Sequence, residues 1–271
     1  MSISFTPENH KYQSLDPNER IDWLSVTSFV GRFKQKFDPV AQSIKSSKNK
    51  RSKWYGIDPE VIREKWEAET QRAITAGSKY HDQREKDLIE LSTIQRSGVN
   101  IPIFPPIYDG EIKQAPDQKL VEGIYPEHMV YLKSSGLCGQ ADRIEVVQKV
   151  VNVYDYKTNK EIKKEGYKKW DGTVEKMLDP IGHLDDCNFN HYALQLSTYM
   201  YIILKHNPVY KPGKLCLQHV IFEIDKEDKF GYPIYKLDAE NNYIVKEVVV
   251  YDVPYLKSEV ISMINHIKDG K

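Results

Sequence analysis

The chain has 271 residues, of which 40% are hydrophobic, with 18 Tyr and 4 Trp. That is enough apolar material for one substantial core and excludes a disordered chain. Lys and Arg total 39, and so do Asp and Glu. A net charge of zero supplies no overall basic excess for phosphate binding, so any nucleic-acid surface must be local. Two segments are locally basic, Lys45 to Lys53 and Lys160 to Lys169. No apolar run approaches the ~20 residues that span a bilayer. The first residues lack the basic start and apolar stretch of a signal peptide, so a cytoplasmic protein without membrane partners is expected. Cys138, Cys187 and Cys216 include no C-x-x-C pair. They read as reduced, buried thiols and cannot make a four-thiolate iron–sulfur or zinc site.

In chain order, residues 3 to 30 read as a β-hairpin leading into a helix that begins near Ser25-Val26-Thr27. Asp38-Pro39 is a helix-start signal, with the basic segment on that helix or just after it. Asp58-Pro59-Glu60 starts a long helical stretch anchored by Val61, Ile62, Trp66, Ile74, Tyr80, Leu88 and Ile89. Gly77 within it marks a break or a close contact. Residues 101 to 106 read as a loop. Strands follow at Leu120–Ile124, Met129–Lys133, Ala141–Val147 and Val150–Lys157. A polar connection runs from Asn159 to Cys187. Asn190 to Lys205 is helical by its apolar face. Strands at Leu215–Ile224 and Tyr243–Tyr251 and an amphipathic helix from Pro254 to Ile267 close the chain. The pattern is α/β or α+β around one mixed sheet flanked by helices.

The chemistry concentrates where two strands carry acids. Gly139-Gln-Ala-Asp142 opens one apolar strand, and Asp155-Tyr156-Lys157 ends the next. Side chains alternate along a strand, so Asp155 and Lys157 share a face. Carboxylates beside an ammonium suit phosphodiester hydrolysis: the acids hold Mg²⁺ or Mn²⁺, and the lysine orients water or stabilises developing charge. The bare tripeptide carries little weight. Glu111-Ile-Lys113, Asp117-Gln-Lys119, Glu161-Ile-Lys163 and Glu227-Asp-Lys229 match it in polar surroundings and read as solvated charge pairs. Asp155 and Lys157 differ in ending a β-branched run, where buried charge must be paired or bind an ion. A purely structural Asp–Lys pair is the competing reading. Two helical pairs lie one turn apart, His81 with Glu85 and Gln195 with Tyr199.

The order His-x-x-x-Glu, Gly-x-x-Asp, Asp-x-Lys, Gln-x-x-x-Tyr resembles the RecB-like branch of the PD-(D/E)XK nucleases. The likeness covers roughly Gly77 to Tyr201 and extends weakly to Ser25-Val26-Thr27-Ser28. It is similar to the mitochondrial genome maintenance and phage-type exonucleases, without the iron–sulfur cluster of other members. The resemblance implies a restriction-endonuclease-like core over 76–271, preceded by a hairpin and a helical DNA-binding region over 1–75. It implies His81, Asp142, Asp155 and the backbone carbonyl of Tyr156 as metal ligands, with Lys157 as the catalytic lysine. Gln195 and Tyr199 would position the DNA strand or support the site, and Glu85 would lie in a supporting shell or contact a second metal. Glu127 reads equally as a site residue or as an exposed strand position. Lys45 to Lys53 would track phosphates; Trp54, Tyr55 and Trp66 read as core or surface aromatics, with stacking on bases as the alternative. The expected activity is a Mg²⁺- or Mn²⁺-dependent deoxyribonuclease, an exonuclease on single-stranded or end-bearing DNA in recombination, repair or replication. An endonuclease of the same fold and a catalytically silent DNA-binding protein are the alternatives.

Overall fold

Helices begin where a side chain can satisfy their orphan amides. In the computed structural model, which describes residues 3–9, 11–96 and 98–270, Ser25 caps α1 (Val26–Gly31) through the Ser28 amide. Asp38 caps α2 (Pro39–Lys48) through the amides of Val40 and Ala41. Asp58 caps α3 (Pro59–Leu91) through Glu60. Pro39 and Pro59 occupy first-turn positions, where a missing N–H costs nothing. All three starts fall where the capping residues predict them.

Among the described residues, five helices and fourteen strands make a mixed α+β fold. The N-terminal hairpin forms as expected from β1 (Ile3–Thr6) and β2 (Lys11–Ser14). A two-residue strand, β3 (Leu24–Ser25), follows, and beyond α3 come two short hairpins. These are β4 (Thr93–Arg96) with β5 (Val99–Pro102), and β6 (Ile107–Asp109) with β7 (Ile112–Gln114). The loop expected over 101–106 therefore starts inside β5, and Ile103 bridges to Ile124.

The long strands are β8 (Gly123–Leu132), β9 (Leu137–Val147) and β10 (Val150–Lys157), successive and antiparallel. Helix α4 (Asn188–His206) then crosses to β11 (Lys211–Phe222), which lies parallel to β10. A small hairpin, β12 (Ile224–Glu227) and β13 (Pro233–Tyr235), precedes β14 (Val245–Val253), antiparallel to β11, and α5 (Lys257–Lys268) ends the fold. The main sheet runs β14-β11-β10-β9-β3, with β8 on β9. Its core joins Ile144, Val146, Val151 and Val153 to Leu194, Leu196, Met200 and Ile202 of α4 and to Val260 and Met263 of α5.

The two strands expected on either side of Pro126 are one strand, β8. Proline cannot donate to a ladder, and β8 accommodates it at a sheet edge. A second sheet, β2-β1-β7-β6, pairs Phe5 with Lys113 and so joins residues from both sides of position 75. Helix α3 runs unbroken through Gly77, and a Cβ there would lie 3.2 Å from Thr158 Oγ1. Gly77 is thus a close contact between α3 and the end of β10. Of the seven expected apolar anchors of α3, only Ile62 and Leu88 are buried, whereas Val61, Ile74 and Ile89 are exposed. The three cysteines are free and buried.

Among the described residues, no helix is long and apolar enough to cross a membrane. Residues 159 to 187 contain only isolated bridges, such as Lys168 with Val174. They are pinned to the core by Met177 and Ile181.

Candidate functional site

The site lies where β10 parts from β9. The ladder pairs Val150 with Val147 and ends at Tyr154 opposite Arg143. One step further would set Asp155 against Asp142, and like charges directly opposite are destabilising. The strands separate instead, and the Asp142 side chain takes over the missing ladder bond. Its Oδ2 accepts the Tyr156 amide at 2.6 Å. On its far edge β9 faces β8, whose ladder skips Glu127 between the Pro126–Arg143 and His128–Ala141 pairs. Glu127 has φ 45, in the left-handed region that non-glycine residues rarely adopt.

Helix α3 brings His81 onto this opening. Its Nδ1 lies 3.4 Å from Glu127 Oε1 and 3.5 Å from Asp142 Oδ2, and its Nε2 contacts the Tyr156 carbonyl at 3.2 Å. An Nε2–H donated to that carbonyl turns Nδ1 toward the two carboxylates. Among the described residues, His81, Glu127 and Asp142 offer ligand atoms that all lie within 4.8 Å of one another.

Asp155 and Lys157 form an adjacent group. Lys157 Nζ pairs with Asp155 Oδ2 at 2.6 Å. Gln195 Nε2 reaches Asp155 Oδ1 at 3.4 Å and the Tyr199 hydroxyl at 3.3 Å. Tyr199 is buried where Gly139 gives it room: a Cβ on Gly139 would stand 2.8 Å from the Tyr199 ring and 3.2 Å from Val26. Glu85, one turn from His81, accepts from the Tyr108 hydroxyl at 3.4 Å and is not in the three-ligand group.

His81, Glu85, Glu127, Asp142, Tyr156, Lys157, Gln195 and Tyr199 line one cleft of about 1010 Å³. Asp155, 1% exposed, stands back from its surface. The positions singled out by sequence therefore share one place, with Asp155 beside the three-ligand group rather than in it. Glu127, 6% exposed, is buried in the site and not exposed on its strand.

Two groups escaped the sequence reading. Lys113, set aside as part of a solvated pair, is 4% exposed and enters the cleft wall from β7. Gln140 links it to Glu127. Trp54 is buried and stacked on Phe230, in line with its reading as a packing aromatic.

The electrostatics reflect burial of several acids together. Burial raises the Asp142 carboxyl, against the pull of His81, and Glu127 raises it further. Burial pushes Asp155 up to about 6 although Lys157 pulls it down. Burial also raises Glu85. For His81 burial works downward, but Asp142, Glu127 and Asp155 outweigh it and lift the imidazole to about 9. Asp155 and Asp142 likewise raise Lys157 against burial. Burial lowers Lys113 in spite of the surrounding carboxylates.

Buried acids crowded together need a counter-charge. Two carboxylate oxygens and one imidazole nitrogen within reach of one point suit a divalent cation of the Mg²⁺ or Mn²⁺ class. No family model matches the chain, and no curated protein matches it.

Proposed function

We propose that the chain is a Mg²⁺- or Mn²⁺-dependent deoxyribonuclease of the PD-(D/E)XK type, RecB-like, with a restriction-endonuclease-like core. In this reading it is an exonuclease acting on single-stranded or end-bearing DNA during recombination, repair or replication. The observation that carries the reading is the meeting of His81, Glu127 and Asp142 around one point, with the Asp155–Lys157 pair at its edge. Three antiparallel strands, a crossing helix and a strand parallel to the third support the proposed core.

His81, Glu127 and Asp142 would hold the cation, with Asp155 beside them. When bound, the cation polarises a phosphoryl oxygen and lowers the pKa of a coordinated water. The chain's own groups do the rest. The Tyr156 amide fixes the Asp142 carboxylate, and the Tyr156 carbonyl fixes the His81 ring. Lys157 stays protonated beside Asp155 and lines the cleft, where an ammonium stabilises charge developing on the phosphoryl group. Gln195 tethers Asp155 to Tyr199, so the lysine's partner is held from behind. Trp170, 99% exposed on a turn beside Lys168 and Lys169, offers a ring on which a base can stack.

The test is digestion of end-labelled linear and circular single strands with Mg²⁺ or Mn²⁺. The reading expects loss of the linear strand, survival of the circle, and arrest by EDTA. Lys157→Ala should slow cleavage by roughly 10²–10³-fold, the scale of losing one transition-state charge stabiliser. Cleavage at the wild-type rate in EDTA or by Lys157→Ala rejects the assignment.

A further inference from the structure

Lys113 is a buried lysine that, among the described residues, makes no ion pair of hydrogen-bond length. Its Nζ donates to two neutral oxygens, the Glu127 carbonyl at 3.1 Å and Gln140 Oε1 at 2.9 Å. The Gln140 amide in turn donates to Glu127 Oε2. With Oε2 and the main-chain carbonyl both engaged, Glu127 is left with Oε1 turned toward His81 Nδ1. The backbone of Glu127 is strained at φ 45, a conformation that persists only where surrounding contacts impose it. Lys113 supplies such a contact from a different sheet. It sits on β7, held by β1 through the Phe5–Lys113 pair and by β6 through Tyr108.

We infer that Lys113 is a positioning residue for the cation site: together with Gln140 it holds Glu127 in its strained conformation with Oε1 presented to the ion. The inference rests on the metal-site reading above and deepens it. It also gives the N-terminal sheet a role, since β1 and β6 brace the strand that carries Lys113.

A bystander lysine and a positioning lysine differ in sign. A cation close to a metal site repels the incoming ion, so removing a bystander charge tightens metal binding. Removing a residue that orients a ligand weakens it, by roughly 10–100-fold for outer-shell partners.

The experiment is direct Mn²⁺ binding to the full chain, by titration calorimetry and by the spin-resonance signal of free Mn²⁺. Thermal melts run alongside on wild type, Lys113→Met, Gln140→Leu and the double variant. The expected result is a loss of roughly 10–100-fold in Mn²⁺ affinity for each single variant. The double variant should lose about as much as either one alone, because the two side chains serve one carboxylate. Lys113→Met binding Mn²⁺ as tightly as wild type, or more tightly, overturns the inference and leaves the metal site standing. Should Lys113→Met fail to fold, Gln140→Leu carries the test, and an unchanged affinity there overturns it equally. A wild type that binds no Mn²⁺ overturns the metal reading and this inference together.

Discussion

The carboxylate of Asp142 occupies the place of a main-chain partner for Tyr156, accepting its amide at 2.6 Å just beyond the last paired residues of β9 and β10. The sheet thereby opens without stranding a buried N–H. The same bond fixes the orientation of one of the three potential ligands. Tyr156 serves twice, since its carbonyl meets His81 Nε2 on the other side. A single backbone unit thus sets the geometry of two side chains from different elements.

The His81 imidazole, lifted to about 9 by its carboxylate neighbours, must lose a proton before it can bind a cation. Mn²⁺ affinity should therefore rise about tenfold per pH unit from pH 6.5 toward 9, then level off. Stability runs the other way in the metal-free protein. A folded pKa above the unfolded value near 6.5 gives a contribution that is full below pH 6.5 and lost as pH climbs through 9. The thermal-stability advantage of wild type over His81→Gln should shrink across that window. An Mn²⁺ affinity flat with pH would contradict the assignment of His81.

Glu127 and Glu85 are separated by geometry. Glu127 belongs to the three-ligand group and Glu85 does not. Glu127→Gln, which removes a ligand charge, should weaken Mn²⁺ binding by more than the roughly 10–100-fold of an outer-shell change, whereas Glu85→Gln should change it by less than about threefold. Calorimetry on the two variants decides the point, and a reversed order would move the cation toward α3.

Gly139→Ala should cost stability through overpacking. The added Cβ meets the Tyr199 ring and Val26, both of them buried side chains packed against β9. Urea unfolding should show a loss of about 1–3 kcal/mol. A neutral result would mean that α1 and α4 can give way around β9.

Trp170→Ala should leave the melting temperature unchanged, because the ring is almost wholly exposed. Binding of a single strand in EDTA should weaken by roughly 5- to 100-fold, the range for loss of one base–aromatic stack. Equal affinity would remove Trp170 from the substrate path.

How much of the site could be read from the amino acids depended on how local each signal was. Asp155 and Lys157 were legible because strand alternation is a rule about neighbours, and Gly139 to Asp142 formed a compact motif. Glu127 was ambiguous because Pro126 interrupts the alternation and a positive φ leaves no trace in composition. Lys113 was misread because its burial comes from β1 pairing with β7, more than a hundred residues apart. Charge windows cannot see that pairing. Trp54 is buried as its packing reading has it, but its partner Phe230 lies far along the chain and no local signal names it. The cap signals at Ser25, Asp38 and Asp58 succeeded because a helix start is decided within four residues.

The most direct test of the central claim is a crystal structure of the protein grown or soaked with Mn²⁺, read by its anomalous signal. The account predicts an ion about 2.0–2.3 Å from His81 Nδ1, a Glu127 oxygen and an Asp142 oxygen, with Lys157 facing the open side of its coordination sphere. A saturated crystal with no ion at that point, or with the three side chains turned apart, would contradict it.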